Sequence, residues 1–126
     1  MRVVNLMPHA LTIFNATDVR PAGPKGYVLA RGGVKPRMIV PSSGVSRAAC
    51  VETPVGQIDG IPVFKPTYGE PENVPDPEDG VMYVVSSITA QACREAGRTT
   101  SDLLLPARTV RDSEGRVIGC TAFCVL

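Results

Sequence analysis

Along most of the chain, apolar positions alternate with polar ones in runs too short for helices, and turn residues separate the runs. Val3, Val4 and Leu6 form a first predicted strand that Pro8 breaks, and Leu11 and Ile13 flank Thr12 in a second. A turn signal at 15–18 follows, and residues 37–40 resume extended structure. Pro41-Ser42-Ser43-Gly44 marks a turn before a strand over 45–52. The two-residue period places Arg47 of that strand on the side of Val45, Ala49 and Val51. An arginine on an apolar face implies a sheet edge, an internal carboxylate or a bound anion. Asp59-Gly60, between VGQI and IPVF, predicts a tight hairpin because both residue types tolerate positive φ.

The pattern changes once, in residues 81–96, VMYVVSSITAQACREA. Residues 81–85 are apolar throughout, as in a strand covered on both faces. Ser86 or Ser87 then caps a helix to about Ala96, with Ile88, Ala92 and Ala96 as its apolar face, Gly97 as its stop, and Arg94 and Arg98 near its negative end. Such a start leaves backbone N–H groups unpaired beside the positive end of the helix dipole. It is either plain architecture or half of an anion site. Beyond it, LLLP reads as an apolar stub ended by Pro106. Residues 107–111 and 116–126 read as strands joined by a compact turn, Asp112-Ser113-Glu114-Gly115. The last strand is apolar on both faces, with Cys120 and Cys124 as core residues of one face, which predicts a central sheet position or pairing with another subunit.

Two stretches interrupt the alternation. Residues 20–36 form a Gly/Pro-rich insertion, predicted as a protruding hairpin or long loop with 27–30 as an added strand. Residues 70–80, EPENVPDPEDG, are acidic and proline-studded, a surface loop without calcium-loop spacing. The expected fold is α+β: residues 1–126 as one domain, mainly antiparallel β-sheet with one short α-helix, in an oligomer.

Composition narrows the function. Hydrophobic content of 44% and charged content of 20% indicate a globular chain, and a net charge of +1 gives no pull toward nucleic acid polymers or membrane surfaces. No apolar run approaches spanning length and no signal-like segment opens the chain, so a cytoplasmic protein with reduced cysteines is expected. His9 is the single histidine and there is no CxxC, which argues against a metal site; the turn beside His9 is its expected hydrogen-bond partner. No phosphate loop, nucleophile elbow or zinc-hydrolase motif occurs, so no catalytic residue, no cofactor and no enzyme activity are expected.

Ligand-type groups nevertheless gather at predicted strand ends. They are Arg47, the Ser86-Ser87 helix start with Tyr83 before it, and Arg108, Arg111 and Asp112 leading into the last hairpin. Backbone N–H groups with arginines suit phosphate, and a tyrosine offers a base a stacking face. The plainer alternative is that Arg111 and Arg116 flank a charged turn. Ten arginines against three lysines fit phosphate recognition, but a G+C-rich genome gives the same bias.

The order of short motifs is more specific than any one of them: NLMPH at 5–9, PSSGVSR at 41–47, DGIPV at 59–63, TYGE at 67–70, YVVSS at 83–87 and VRDSEGRVIGC at 110–120. Together they resemble the first-described Thoeris anti-defence family, phage-encoded sponges. The resemblance implies tight, non-destructive binding of cyclic ADP-ribose-type signals, a separate cyclic-oligonucleotide site in some members, assembly as dimers and hexamers, and action in the host bacterial cytoplasm. It places ligand groups near the helix start and the C-terminal hairpin, at Tyr83, Ser86, Ser87, Arg108, Arg111 and Asp112, with Arg47 as a second anion site. The 20–36 segment is longer than the family pattern. The competing expectation is a small phage structural or protein-interaction module without a small-molecule ligand.

Overall fold

The computed structural model describes residues 1–24 and 26–126; Lys25, inside the predicted insertion, lies outside the described residues. The strands are β1 (Arg2–Asn5), β2 (Leu11–Ile13), β3 (Val19–Pro21), β4 (Tyr27–Leu29), β5 (Met38–Val40), β6 (Cys50–Ile58), β7 (Ile61–Tyr68), β8 (Val81–Val84), β9 (Leu103–Arg111) and β10 (Val117–Cys124), with one helix, α1 (Ser87–Glu95), between β8 and β9. Among the described residues the chain is thus mostly sheet with a single α-helix, as an α+β reading requires.

Six strands run in the order β1-β8-β9-β10-β2-β5, and the sheet curls until β1 and β5 at its ends touch, with Asn5 bridging Ser42 just past β5. Asn5 makes the closure. Its wholly buried amide donates to the carbonyls of His9 and Val40 and accepts from the Met7 N–H, while its own carbonyl accepts from the Ser43 N–H. Ser42 and Ser46 add bonds from their hydroxyls to the Met7 and Leu6 carbonyls. The NLMPH and PSSGVSR segments are therefore sewn to each other. Inside the ring, Val3, Leu11, Val40, Val84, Leu104 and Cys120 contribute one residue from each of the six strands to a single cluster. Alternate residues of the same strands, Val4, Tyr83, Val85 and Leu103, point outward and pack under α1. This is the double coverage expected for residues 81–85.

The helix follows from its caps. The Ser86 hydroxyl accepts from the Thr89 N–H at 3.2 Å, and Gly97 at φ 83° ends the helix in the left-handed region. The buried face is Thr89, Ala90, Ala92 and Cys93, not Ile88, Ala92 and Ala96; Ile88 stays 43% exposed. Small residues let the helix lie close on the strands beneath it, and Ile88 is too bulky for that face.

Pairing is mixed. The longest ladders, β9–β10 and β6–β7, are antiparallel, whereas β1–β8, β8–β9, β4–β9 and β2–β10 are parallel. Strand β10 lies between β9 and β2, the central position that its two apolar faces predict. Cys120 is buried there, but Cys124 is exposed at the strand end and is not a core residue.

Pro106 does not end a stub: β9 runs through it from Leu103 to Arg111. On one edge β9 pairs with β10 from Leu105 to Arg111, skipping Arg108. On the other it pairs with β8 at Leu103 and Leu104, then with β4 at Val110 and Arg111. Pro106, which has no N–H to offer, sits in the gap between the two neighbours.

The insertion is a hairpin, β3–β4, but it does not protrude, because β4 docks on β9. Gly26 permits the approach: a Cβ there would sit 2.7 Å from the Thr109 carbonyl oxygen. The hairpin that stands apart is β6–β7, turned by Asp59 and Gly60 at φ 52° and 78°. No helix among the described residues is long and apolar enough to cross a membrane.

Candidate functional site

The arginine-bearing C-terminal hairpin is built around Asp112. Its Oδ1 accepts from the N–H groups of Glu114 and Arg116 at 2.9 Å each, and its Oδ2 accepts from Arg116 Nε at 3.0 Å. The Arg116 N–H bond, followed by the Arg116 side chain and the Glu114 N–H, holds the Asp112 carboxyl below the usual carboxylate range. Arg111 Nη1 donates to the Gly115 carbonyl at 2.8 Å, tying the guanidinium to the same turn.

Docking of β3–β4 against the end of β9 walls this hairpin into two adjoining recesses. One, of about 480 Å³, is lined by Arg20, Leu29, Arg31 and Ile118 together with Val28, Arg111, Asp112 and Ser113. The other, of about 250 Å³, shares the last four residues and adds Tyr27. The larger volume falls in the range of small-molecule sites. Arg31 is steadied by Asp18, Nη2 to Oδ1 at 2.8 Å, and that bond, with one from Asn15, holds the Asp18 carboxyl below its ordinary value. The Arg20 side chain has no hydrogen-bond partner among the described residues. Apolar walls carrying several guanidinium groups suit a ligand with a flat apolar part and an anionic part.

The other predicted site residues are elsewhere. Tyr83 is 4% exposed in the cluster under α1, so its ring has no free face for a base. The Ser86 hydroxyl is spent on the cap, accepting from the Thr89 N–H and donating to Thr89 Oγ1. Ser87 is exposed and accepts from Gln91 Nε2. Because Val85 N–H bonds the Leu104 carbonyl, the helix start is level with about Pro106, roughly 16 Å along β9 from Arg111. The helix start and Arg111 therefore do not form one pocket within a single chain.

Arg47 is exposed and precedes β6, bridging Glu72 through its backbone at 3.1 and 2.8 Å. It sits on no buried face, and the need for an anion there disappears. Arg108 is exposed at φ 51° and lines neither recess of the hairpin. His9 bonds its neighbour, Nδ1 lying 3.1 Å from the Ala10 carbonyl oxygen.

Sequence reasoning missed Arg20, Tyr27 and Arg31. The length of the 20–36 segment was their signal, but the parallel pairing of β4 with β9 that brings them to Arg111 leaves no local mark. Comparison with family models, curated proteins and solved structures finds no match for this chain.

Proposed function

We propose that this chain is a phage anti-defence sponge that binds and holds, without cleaving, a cyclic ADP-ribose-type signal in the host bacterial cytoplasm, with cyclic oligonucleotides as a second ligand class. It acts as a homo-oligomer. The supporting observation is the recess of about 480 Å³ that Arg20, Arg31 and Arg111 line at the C-terminal hairpin, where the family resemblance puts ligand groups. Arginine forks suit a pyrophosphate, and Val28 and Tyr27 offer apolar and aromatic surface to a base. The site needs no general acid or base, because sequestration depends on slow release.

Titration calorimetry against cyclic ADP-ribose isomers and cyclic oligonucleotides tests the reading, followed by heat denaturation and mass analysis of the released ligand. Binding with return of the intact compound is expected. A cleaved product would make the protein an enzyme. Silence across the panel would favour a protein-interaction module, the reading that the exposed β6–β7 hairpin supports.

A further inference from the structure

The segment that carries Arg20, Tyr27 and Arg31 is fixed to the body at its stems and at its tip. At the stems, the Phe14 N–H donates to the Cys120 carbonyl at 2.9 Å and the Arg37 N–H donates to the Ile13 carbonyl at 2.8 Å. The chain therefore leaves and returns at one place beside β10. None of the described residues in between, 15–24 and 26–36, is buried. At the tip, β4 docks on the edge of β9 that faces away from β10. The hairpin thus spans the ends of β10 and β9, and Ile118 and Arg111 of those strands line the larger recess with it.

The tip contact is slight beside the cohesion of the hairpin itself. Within the hairpin, Val19, Arg20 and Pro21 pair with Leu29, Val28 and Tyr27. The Ala30 N–H donates to the Asp18 carbonyl at 2.9 Å, and the Arg31–Asp18 ion pair also stays inside the segment. Between hairpin and body the ladder has two pairs, Tyr27 with Val110 and Val28 with Arg111, in the weaker parallel sense. Gly32 and Gly33 stand in the returning stem, where a Cβ on either would meet nothing within 4 Å, and Gly33 lies at φ 72°. Glycines in open space at a stem can absorb the rotation of a hinge. Val110 drives closure: it is wholly buried where it pairs with Tyr27, and opening would uncover it.

We infer that the β3–β4 hairpin is a strap that swings about its stems, opens at the β9 contact to admit an anionic ligand to the recess, and shuts over it. Arg20 and Arg31 ride on the strap and Arg111 on the body, so an anion held from both sides ties the strap down. Release then waits for the strap to lift. The inference rests on the proposed function for the ligand and not for the motion.

Native-state hydrogen exchange of the full chain, read by NMR without ligand and then with inorganic pyrophosphate, tests it. Without ligand, the amides of the β4–β9 contact should exchange together, about tenfold or more faster than those of β9–β10, and low urea should barely change their rate, as for an opening that exposes little surface. Exchange no faster than that of the β9–β10 amides overturns the inference, even where calorimetry shows nucleotide binding. Pyrophosphate should slow the contact amides about threefold or more and leave the β9–β10 amides unchanged. Arg20→Ala should keep the ligand-free opening and lose most of that slowing. A contact that opens but is not slowed by pyrophosphate overturns closure over an anion. Slowing by pyrophosphate with silence toward every nucleotide supports the strap and sinks the sponge reading alone.

Discussion

Arg98 and Asp102 form a two-pronged ion pair, Nη1 to Oδ1 at 2.8 Å and Nη2 to Oδ2 at 2.9 Å, with side chains only 15% and 11% exposed. Arg98 also donates to the carbonyls of Pro75 and Thr99, so one guanidinium joins the end of α1, the approach to β9 and the proline-rich loop. The Asp102 bonds raise the Arg98 pKa further above its ordinary value. Asp102→Ala leaves a largely buried cation unpaired and should cost about 3 kcal/mol, near the low end for broken buried pairs. Urea unfolding measures it. Arg98→Lys, with Asp102 in place, should cost less, since it keeps the charge pair but not the fork.

Arg108 sits at φ 51° within β9, where a side chain costs about 1–2 kcal/mol. It is skipped in the ladder between β9 and β10, although its carbonyl accepts from Thr121 Oγ1 at 3.3 Å. Arg108→Gly relieves the conformation against the greater unfolded-state entropy of glycine. It should raise stability by a few tenths to about 1 kcal/mol. Thermal unfolding reads the change, and lower stability in the variant would show that the Arg108 side chain is worth more than its strain.

The depressed carboxyl of Asp112 gives the C-terminal hairpin a defined acid response. The folded pKa lies below 3.8, so the turn's contribution to stability is complete above that value and is lost as pH falls through the folded one. Carbon-13 titration of Asp112 should show a midpoint below 3.8, with the amide shifts of Glu114 and Arg116 moving together with it. Asp112→Asn keeps an acceptor for both N–H groups and should preserve the turn at neutral pH; Asp112→Ala should loosen it.

Local chemistry was legible in the sequence and long-range pairing was not. The Ser86 cap, the Gly97 stop, the Asp59-Gly60 turn and the Asp112–Gly115 turn each depend on neighbours within about five residues, and each lies where local rules put it. Alternation puts Arg47 on an apolar face because it looks alike in a buried strand and an exposed one; only tertiary packing distinguishes them. For the same reason, composition points to the 20–36 segment as the protruding one, whereas the apolar 50–68 segment is the one that stands apart. Pro106 reads as a breaker unless it is known that neither β8 nor β4 needs its N–H. Of the candidate site, Arg111 and Asp112 were found from their hairpin. The arginines opposite required the β4–β9 pairing, which joins residues more than eighty positions apart.

The same pairing makes the recess testable from its far wall. Arg20→Ala and Arg111→Ala each remove one charge-assisted contact of about 1.5–3 kcal/mol, so each should weaken binding of a cyclic ADP-ribose isomer by roughly tenfold or more. Both should leave the sedimentation behaviour unchanged.

Gly26→Ala separates wall from contact. Its φ of 93° disfavours any side chain, and a methyl group there would meet the Thr109 carbonyl at 2.7 Å, so β4 must move off β9. Overpacking of this kind costs about 1–3 kcal/mol. The variant removes no ligand group, yet it displaces Arg20, Tyr27 and Arg31 together from Arg111. Binding should therefore fall at least as far as in Arg20→Ala, while far-UV circular dichroism stays close to that of the wild type. If Gly26→Ala binds normally although β4 amides lose hydrogen-exchange protection, the recess is not the ligand site.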